Sequence, residues 1–200
     1  MTLRVALTGG IATGKSYVLA RLSERGIPVI DADQIVHEAL GPNTPTTENI
    51  MREFGTAVLK ADGSVNRAVL GEKVFADAEA RLRLEAIVHP NVYETIRNWF
   101  EAGKPPIGVA SIPLLYETHR EGDFDAVVVT ACEADQQLQR MMERGMSEVE
   151  ARRRMAAQIP AAEKAARADY VIWTGGTTHE TDVQLEELLI KLGRRLSTVG

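Results

Sequence analysis

Eight residues near the N-terminus, Gly9-Gly10-Ile11-Ala12-Thr13-Gly14-Lys15-Ser16, fit the pattern G-x-x-x-x-G-K-[ST]. Small residues there give up core packing, but they let main-chain N–H groups turn inward around a cluster of oxyanions. A helix that starts at the end of such a loop adds the positive end of its dipole. Lys15 can reach the β- and γ-phosphates of a nucleotide, and the Ser16 hydroxyl can ligate a Mg²⁺ ion that also binds phosphate oxygens and water. The pattern lies between a strand-like and a helix-like run, which is the context the chemistry requires. The chain therefore binds a nucleotide, ATP or GTP, through Gly9, Gly10, Ile11, Ala12, Thr13, Gly14, Lys15, Ser16 and the adjoining Tyr17.

A second acidic centre follows in Ile30-Asp31-Ala32-Asp33. A carboxylate after the second strand can face the γ-phosphate of a nucleotide held by the first loop. Asp33 is then a candidate base for a substrate hydroxyl, and Asp31 a candidate to orient a metal-bound water. The competing reading is that one aspartate only caps a helix starting near Ile35. Further on, Arg140 and Arg144 stand four residues apart on one helix face and can bind phosphate with planar forks. The plainer alternative for Arg140 is a salt bridge to Glu143 or Glu148, and solvated pairing is the stronger reading for Arg152–Arg154.

The elements that must position these groups alternate. Leu3–Thr8 reads as a strand covered on both faces, Gly14 to Glu24 as a helix stopped at Gly26, and Pro28–Ile30 as a second strand. The next 70 or so residues have little strand character. Helical runs are expected near 35–40, 47–54, 67–75 and 78–102, the last interrupted at His89-Pro90. Strands return at Ile107–Ile112, Ala126–Thr130 and Tyr170–Trp173, separated by arginine-bearing helices near 134–144, 147–158 and 160–168. Residues 178–196 close the chain as an amphipathic helix with Leu185, Leu188, Leu189, Leu192 and Leu196 on one face. This alternation predicts an α/β fold around a parallel sheet of about five strands flanked by helices. Tyr93, Trp99 and Phe100 read as core.

The 200 residues are 44% apolar and 26% charged, which suits a soluble single domain. A net charge of −5 argues against general nucleic-acid or membrane-surface binding. One cysteine, Cys132, allows no internal disulfide, and no apolar run approaches a membrane span. No signal peptide is evident. The expectation is a cytoplasmic protein, read as a monomer with an oligomer left open, whose partners are small molecules.

Guanine-reading N-K-x-D is absent, and neither long apolar strand ends in the carboxylate that ATP-driven machines place there. A small-molecule kinase fits better. A nucleotide-binding regulatory protein without transfer chemistry stays open.

Beyond these local readings, the ordered motifs resemble the dephospho-coenzyme A kinase family across most of the chain. VALTGGIATGKS resembles the family's T-G-G-I-G-S-G-K-S, and VIDAD (29–33) its [VI]-[IV]-D-A-D. The block 54–77 matches through Phe54, Gly55, Asp62, Gly63, Arg67, Leu70 and Phe75. IVHP (87–90), IPLLYE (112–117), QLQRMMERG (137–145), Gln158 and Ala168-Asp169 follow in order. The resemblance implies a P-loop NTPase fold with a helical substrate-binding insert (about 35–104), a helical lid (about 134–167) and a core formed by about 1–34, 105–133 and 168–200. It implies transfer of the γ-phosphoryl of ATP to the ribose 3′-hydroxyl of dephospho-coenzyme A, with Mg²⁺, giving coenzyme A and ADP. Asp33, Lys15 and Arg140 would be catalytic, with Arg140 closing over the transferring group. Arg144 would hold nucleotide phosphate. Asp33, His89, Pro113, Leu115 and Glu117 would form the acceptor site, although the leucines of that loop and His89 also read as packing. A kinase of another small acceptor, such as a nucleoside monophosphate, is the nearest alternative.

Two positions depart from the family pattern. Ala12 stands where the family has its middle glycine, which is cheap at negative φ and forces the loop to shift at positive φ. Thr174 replaces the asparagine of V-I-x-N-x-G, a segment that borders adenine in the family, so adenine selectivity is open.

Overall fold

The structure, a computed structural model, describes residues 2–199; Met1 and Gly200, the outer ends of the expected core, lie outside the described residues. The chain divides into two compact units, one formed by residues 1–31 with 102–200 and the other by 32–101.

In the first unit, β1 (Leu3–Gly9) is buried at every residue but Arg4. It forms the middle of a five-stranded sheet with β2 (Val29–Asp31), β3 (Ile107–Ser111), β4 (Ala126–Ala131) and β5 (Tyr170–Trp173). The order is β2-β3-β1-β4-β5, and all pairs are parallel. Strands buried on both faces need no polar alternation, which is why AVVVT and VALT read as unbroken apolar runs. From β1 the chain crosses to one edge of the sheet and returns to its other side only after β3. The C-terminal end of β1 is therefore the point where connections diverge, the usual ligand crevice of such sheets.

One face packs on α1 (Lys15–Glu24) and α9 (Thr178–Val199), through Leu3, Val5, Leu7, Val18, Leu22, Leu185, Leu188 and Leu192. Leu189 and Leu196 join from the periphery. Arg21 clamps Asp182 of α9 with two hydrogen bonds of 2.8 and 2.7 Å. After β4 come α6 (Ala134–Glu143), α7 (Glu148–Ala156) and α8 (Ala161–Ala166), all within this unit. α8 packs against β4 and β1.

The second unit holds α2 (Ala32–Ala39), α3 (Pro45–Phe54), α4 (Arg67–Ala76) and most of α5 (Ala78–Gly103). Its own core gathers Leu40, Ile50, Val58, Val65 and Leu70, with Leu84, Ile87 and Val88 packed against them. Two boundaries differ from expectation. α2 starts at Ala32, not near Ile35, so Asp33 sits inside its first turn and does not cap it; a carboxylate there complements the helix dipole. α5 runs unbroken through Pro90. Proline removes one helix hydrogen bond, but the apolar rows continue on both sides: Ile87 and Val88 before it, buried Val92, Ile96 and Phe100 after it.

Candidate active site

The loop after β1 owes its path to three glycines. A Cβ on Gly9 would lie 2.3 Å from Thr130 Oγ1 and 2.6 Å from Thr13 Oγ1, and one on Gly10 would lie 2.8 Å from Gln137 Nε2. Gly14 has φ +83° and faces the Thr174 side chain at 3.3 Å. Ala12 has φ 59°, so the costly one of its two conformations is the one adopted. An L-residue there stores about 1–2 kcal/mol of strain.

α1 begins at Lys15 with no side-chain cap and no acidic residue in its first turn. Its first N–H groups need a partner, and an anion suits them. Lys15 Nζ donates to Ser111 Oγ at 2.6 Å. Ser111 ends β3, is fully buried, and pairs in register with Leu7 on one side and Asp31 on the other. Ser16 is exposed one residue further along. Tyr17 packs on the core, and its hydroxyl helps hold the Asp182 carboxyl below its ordinary range after the larger effect of Arg21.

Side chains from distant elements fix the loop. Gln137 Nε2 donates to Ile11 O at 2.6 Å, and the Ile11 N–H donates to Gln158 Oε1 at 3.0 Å. Arg140 Nη1 donates to Ala12 O at 3.2 Å and to Thr174 Oγ1 at 3.3 Å, while its Nη2 donates to Thr174 O at 2.6 Å. Thr174 Oγ1 lies 2.8 Å from Thr13 O, and Thr13 Oγ1 lies 2.8 Å from Thr130 Oγ1. The alternative pairing of Arg140 with Glu143 or Glu148 is thus not adopted. Arg152 and Arg154 do pair in solvent, with Glu148 and Glu150. Arg144 is exposed at the C-cap of α6. Burial pushes the Cys132 thiol up, against the smaller opposing effects of Arg140 and Thr174.

In the segment after β3, the Pro113 carbonyl accepts from Thr8 Oγ1 at 3.2 Å and from Lys164 Nζ at 3.1 Å. Leu115 is fully buried and packs inside the unit. Glu117 Oε1 pairs with buried Lys164 at 2.7 Å and accepts the Ile159 N–H at 3.0 Å. Its Oε2 is buried without a hydrogen-bond partner. Within the second unit, Asp33 is exposed in the first turn of α2. His89 is half-buried in α5 and meets Tyr93 edge-on at 6.1 Å. The reading of the sequence missed Ser111 and Lys164 and gave Gln137 no individual role. Their partners lie 96, 51 and 126 residues away, so no local pattern marks Ser111 or Lys164, and the motif that begins at Gln137 does not say what Gln137 holds.

With this geometry in place, the comparisons with known proteins are specific. The family model described as dephospho-CoA kinase matches residues 3–180. The chain belongs to the dephospho-CoA kinase family. Its relatives include the dephospho-CoA kinase of Anaeromyxobacter dehalogenans, 46% identical with 96% of this chain and 95% of that protein covered. That of Geobacillus kaustophilus is 44% identical, with 94% and 96% covered. Among solved structures, a Thermus thermophilus protein aligns with a TM-score of 0.84 at 32% identity, covering 96% of this chain and 98% of that one. Dephospho-CoA kinase from Campylobacter jejuni aligns at 0.73 and 27%, covering 97% and 98%. A shikimate kinase from Acinetobacter baumannii, 15% identical at a TM-score of 0.55 over 98% and 96% of the two chains, shares the fold.

A dephospho-CoA kinase takes a nucleotide as one of its substrates, which suits the cradle at residues 9–16. Among the described residues no helix is long and apolar enough to cross a membrane. No group of three or more His, Cys, Asp or Glu side chains among them is placed to hold a metal ion. A Mg²⁺ ion at Ser16 would need only that hydroxyl, with phosphate oxygens and water, a donor set that suits Mg²⁺ in nucleotide sites. Exposed Ser16, one residue beyond Lys15, fits it.

Proposed function

We propose that the chain phosphorylates the ribose 3′-hydroxyl of dephospho-coenzyme A with ATP, as a cytoplasmic monomer, giving coenzyme A and ADP in the last step of coenzyme A synthesis. The observation that carries this reading is the uncapped start of α1 beside Lys15, whose ammonium sits on Ser111, the register partner of Asp31. A lysine ammonium is thus held at the C-terminal end of the sheet, on the strand beside the one that ends in Asp31.

The roles follow from the chemistry of phosphoryl transfer, which is mostly positioning and charge neutralisation. Loop amides and Lys15 hold the β- and γ-phosphates. Ser16 would hold Mg²⁺, which when bound neutralises phosphate charge. Asp33, two residues beyond Asp31 in the D-A-D motif, accepts the proton of the 3′-hydroxyl as that oxygen bonds to the γ-phosphorus. The bond from the γ-phosphorus to the bridging oxygen breaks, and ADP leaves with its electron pair. Arg144, exposed at the end of α6, closes charge over the nucleotide as part of a lid formed by residues 134–167. Pro113, Glu117 and His89 bind the acceptor, and Leu115 packs inside the first unit.

The test is a panel of acceptors incubated with purified protein, ATP and Mg²⁺, following ADP release. Dephospho-coenzyme A should outpace every nucleoside monophosphate. A nucleoside monophosphate that reacts faster, or ATP binding with no transfer at all, would overturn the reading.

A further inference from the structure

Three successive carbonyls of the phosphate loop, those of Ile11, Ala12 and Thr13, are each held by a different side chain from outside the loop. Gln137 takes the first at 2.6 Å, Arg140 the second at 3.2 Å and Thr174 the third at 2.8 Å. Two of these side chains sit on α6 and the third follows β5, so the loop is gripped from two elements far apart in sequence.

The described chain has no cis peptide. In a trans peptide the carbonyl of one residue and the N–H of the next point in opposite directions. Holding Ile11 O therefore aims the Ala12 N–H to the far side of the loop, and holding Thr13 O does the same for Gly14. Holding Ala12 O aims the Thr13 N–H inward along the turn, where it meets Gly10 O at 3.3 Å. The peptides on both sides of the Ala12 Cα are thus fixed, and such fixing is what lets a left-handed alanine persist. A Cβ on Gly10 would push the Gln137 amide aside, and one on Gly14 would crowd the Thr174 side chain.

We propose that Gln137, Arg140 and Thr174 are positioning residues for the triphosphate: they set the direction of the loop amides through its carbonyls. Arg140 then acts on the loop and not on the transferring group, and Thr174 acts on phosphate binding and not on adenine. This rests on the reading of residues 9–16 as a phosphate cradle, and it is testable without any acceptor.

The experiment titrates ATP, GTP and inorganic tripolyphosphate into wild-type protein, Thr174→Val and Thr174→Ser, with circular dichroism fixing the folded fraction. Thr174→Val keeps the shape and removes the hydroxyl. It should weaken ATP and tripolyphosphate by the same factor, about tenfold for loss of the bonds to Thr13 O and from Arg140 within a cooperative set. Thr174→Ser should bind both ligands as wild type does, within about threefold. Arg140→Lys, which loses the fork, should behave like Thr174→Val; it decides the matter if Thr174→Val does not fold. A variant that loses ATP affinity but keeps tripolyphosphate affinity, or that shifts the preference between ATP and GTP, would overturn the proposal. So would unchanged affinity for all three ligands per folded molecule. Coenzyme A formation by the wild type is a separate readout, so failure of the proposed reaction leaves this result interpretable.

Discussion

Lys15 Nζ donates to Ser111 Oγ across 2.6 Å, from the first residue of α1 to the last of β3. The ammonium is thereby held at the C-terminal end of the sheet. A long flexible side chain held near its working position loses less entropy on binding. Ser111→Ala should lower kcat/KM for ATP about fivefold, and Lys15→Met about a hundredfold or more, as for removal of a donor aimed at developing charge. Steady-state kinetics at saturating acceptor checks both. Equal effects of the two substitutions would contradict this ranking.

Ala12 occupies φ 59°, where glycine is at ease. Ala12→Gly removes the side-chain strain and adds unfolded-chain entropy, so the net gain should be about 0.5–1 kcal/mol. For a chain of this size that raises Tm by roughly 1–4 °C. Calorimetry reads it directly. A lower Tm would mean that the strain is smaller than the backbone angle implies.

Lys164 is fully buried against Glu117 at 2.7 Å and also caps the Pro113 carbonyl. Lys164→Met alone leaves a mostly buried carboxylate with its cation gone and should cost about 3–5 kcal/mol. Adding Glu117→Gln should recover much of that loss. A double variant as unstable as the single one, by denaturant unfolding, would refute the pairing as the cause.

Asp169 accepts the Val127 N–H at 2.8 Å and an Arg195 N–H at 2.9 Å. Burial raises its carboxyl, but the Val127 bond and Arg195 outweigh this and hold it below the ordinary 3.8. The folded value is depressed. The stabilisation is therefore complete above the ordinary carboxylate value and is lost as pH falls through the folded one. Asp169→Asn should lower Tm at neutral pH and flatten its decline in acid. A wild-type slope in the variant would contradict this.

How much of this was legible in the sequence depends on range. Residues 9–16 and the strand before them were plain, because a phosphate cradle is written in eight contiguous residues and a buried parallel strand in one apolar run. The helical stretch between β2 and β3 was plain because it lacks strand-like runs. Pro90 misled, because its local cost of about 3 kcal/mol is outweighed by packing on both sides of it. Gln137 was visible only as the start of a family motif without a role of its own, and Lys164 reads as an ordinary polar helix residue. What makes them matter is a carbonyl brought to each by the sheet order, which no periodicity encodes. Thr174 was visible as a departure from the family, but its bond to Thr13 O and its contact with Gly14 needed the fold.

The central claim is transfer from ATP on the cradle to one ribose oxygen. Its most direct test is phosphorus NMR of the reaction of dephospho-coenzyme A, ATP and Mg²⁺, with wild-type protein and with Asp33→Asn. The wild type should give a 3′-phosphomonoester and ADP in equal amounts, and Asp33→Asn should slow both by about a hundredfold or more. ADP and free phosphate without the 3′-ester, or an Asp33→Asn rate equal to wild type, would contradict the account.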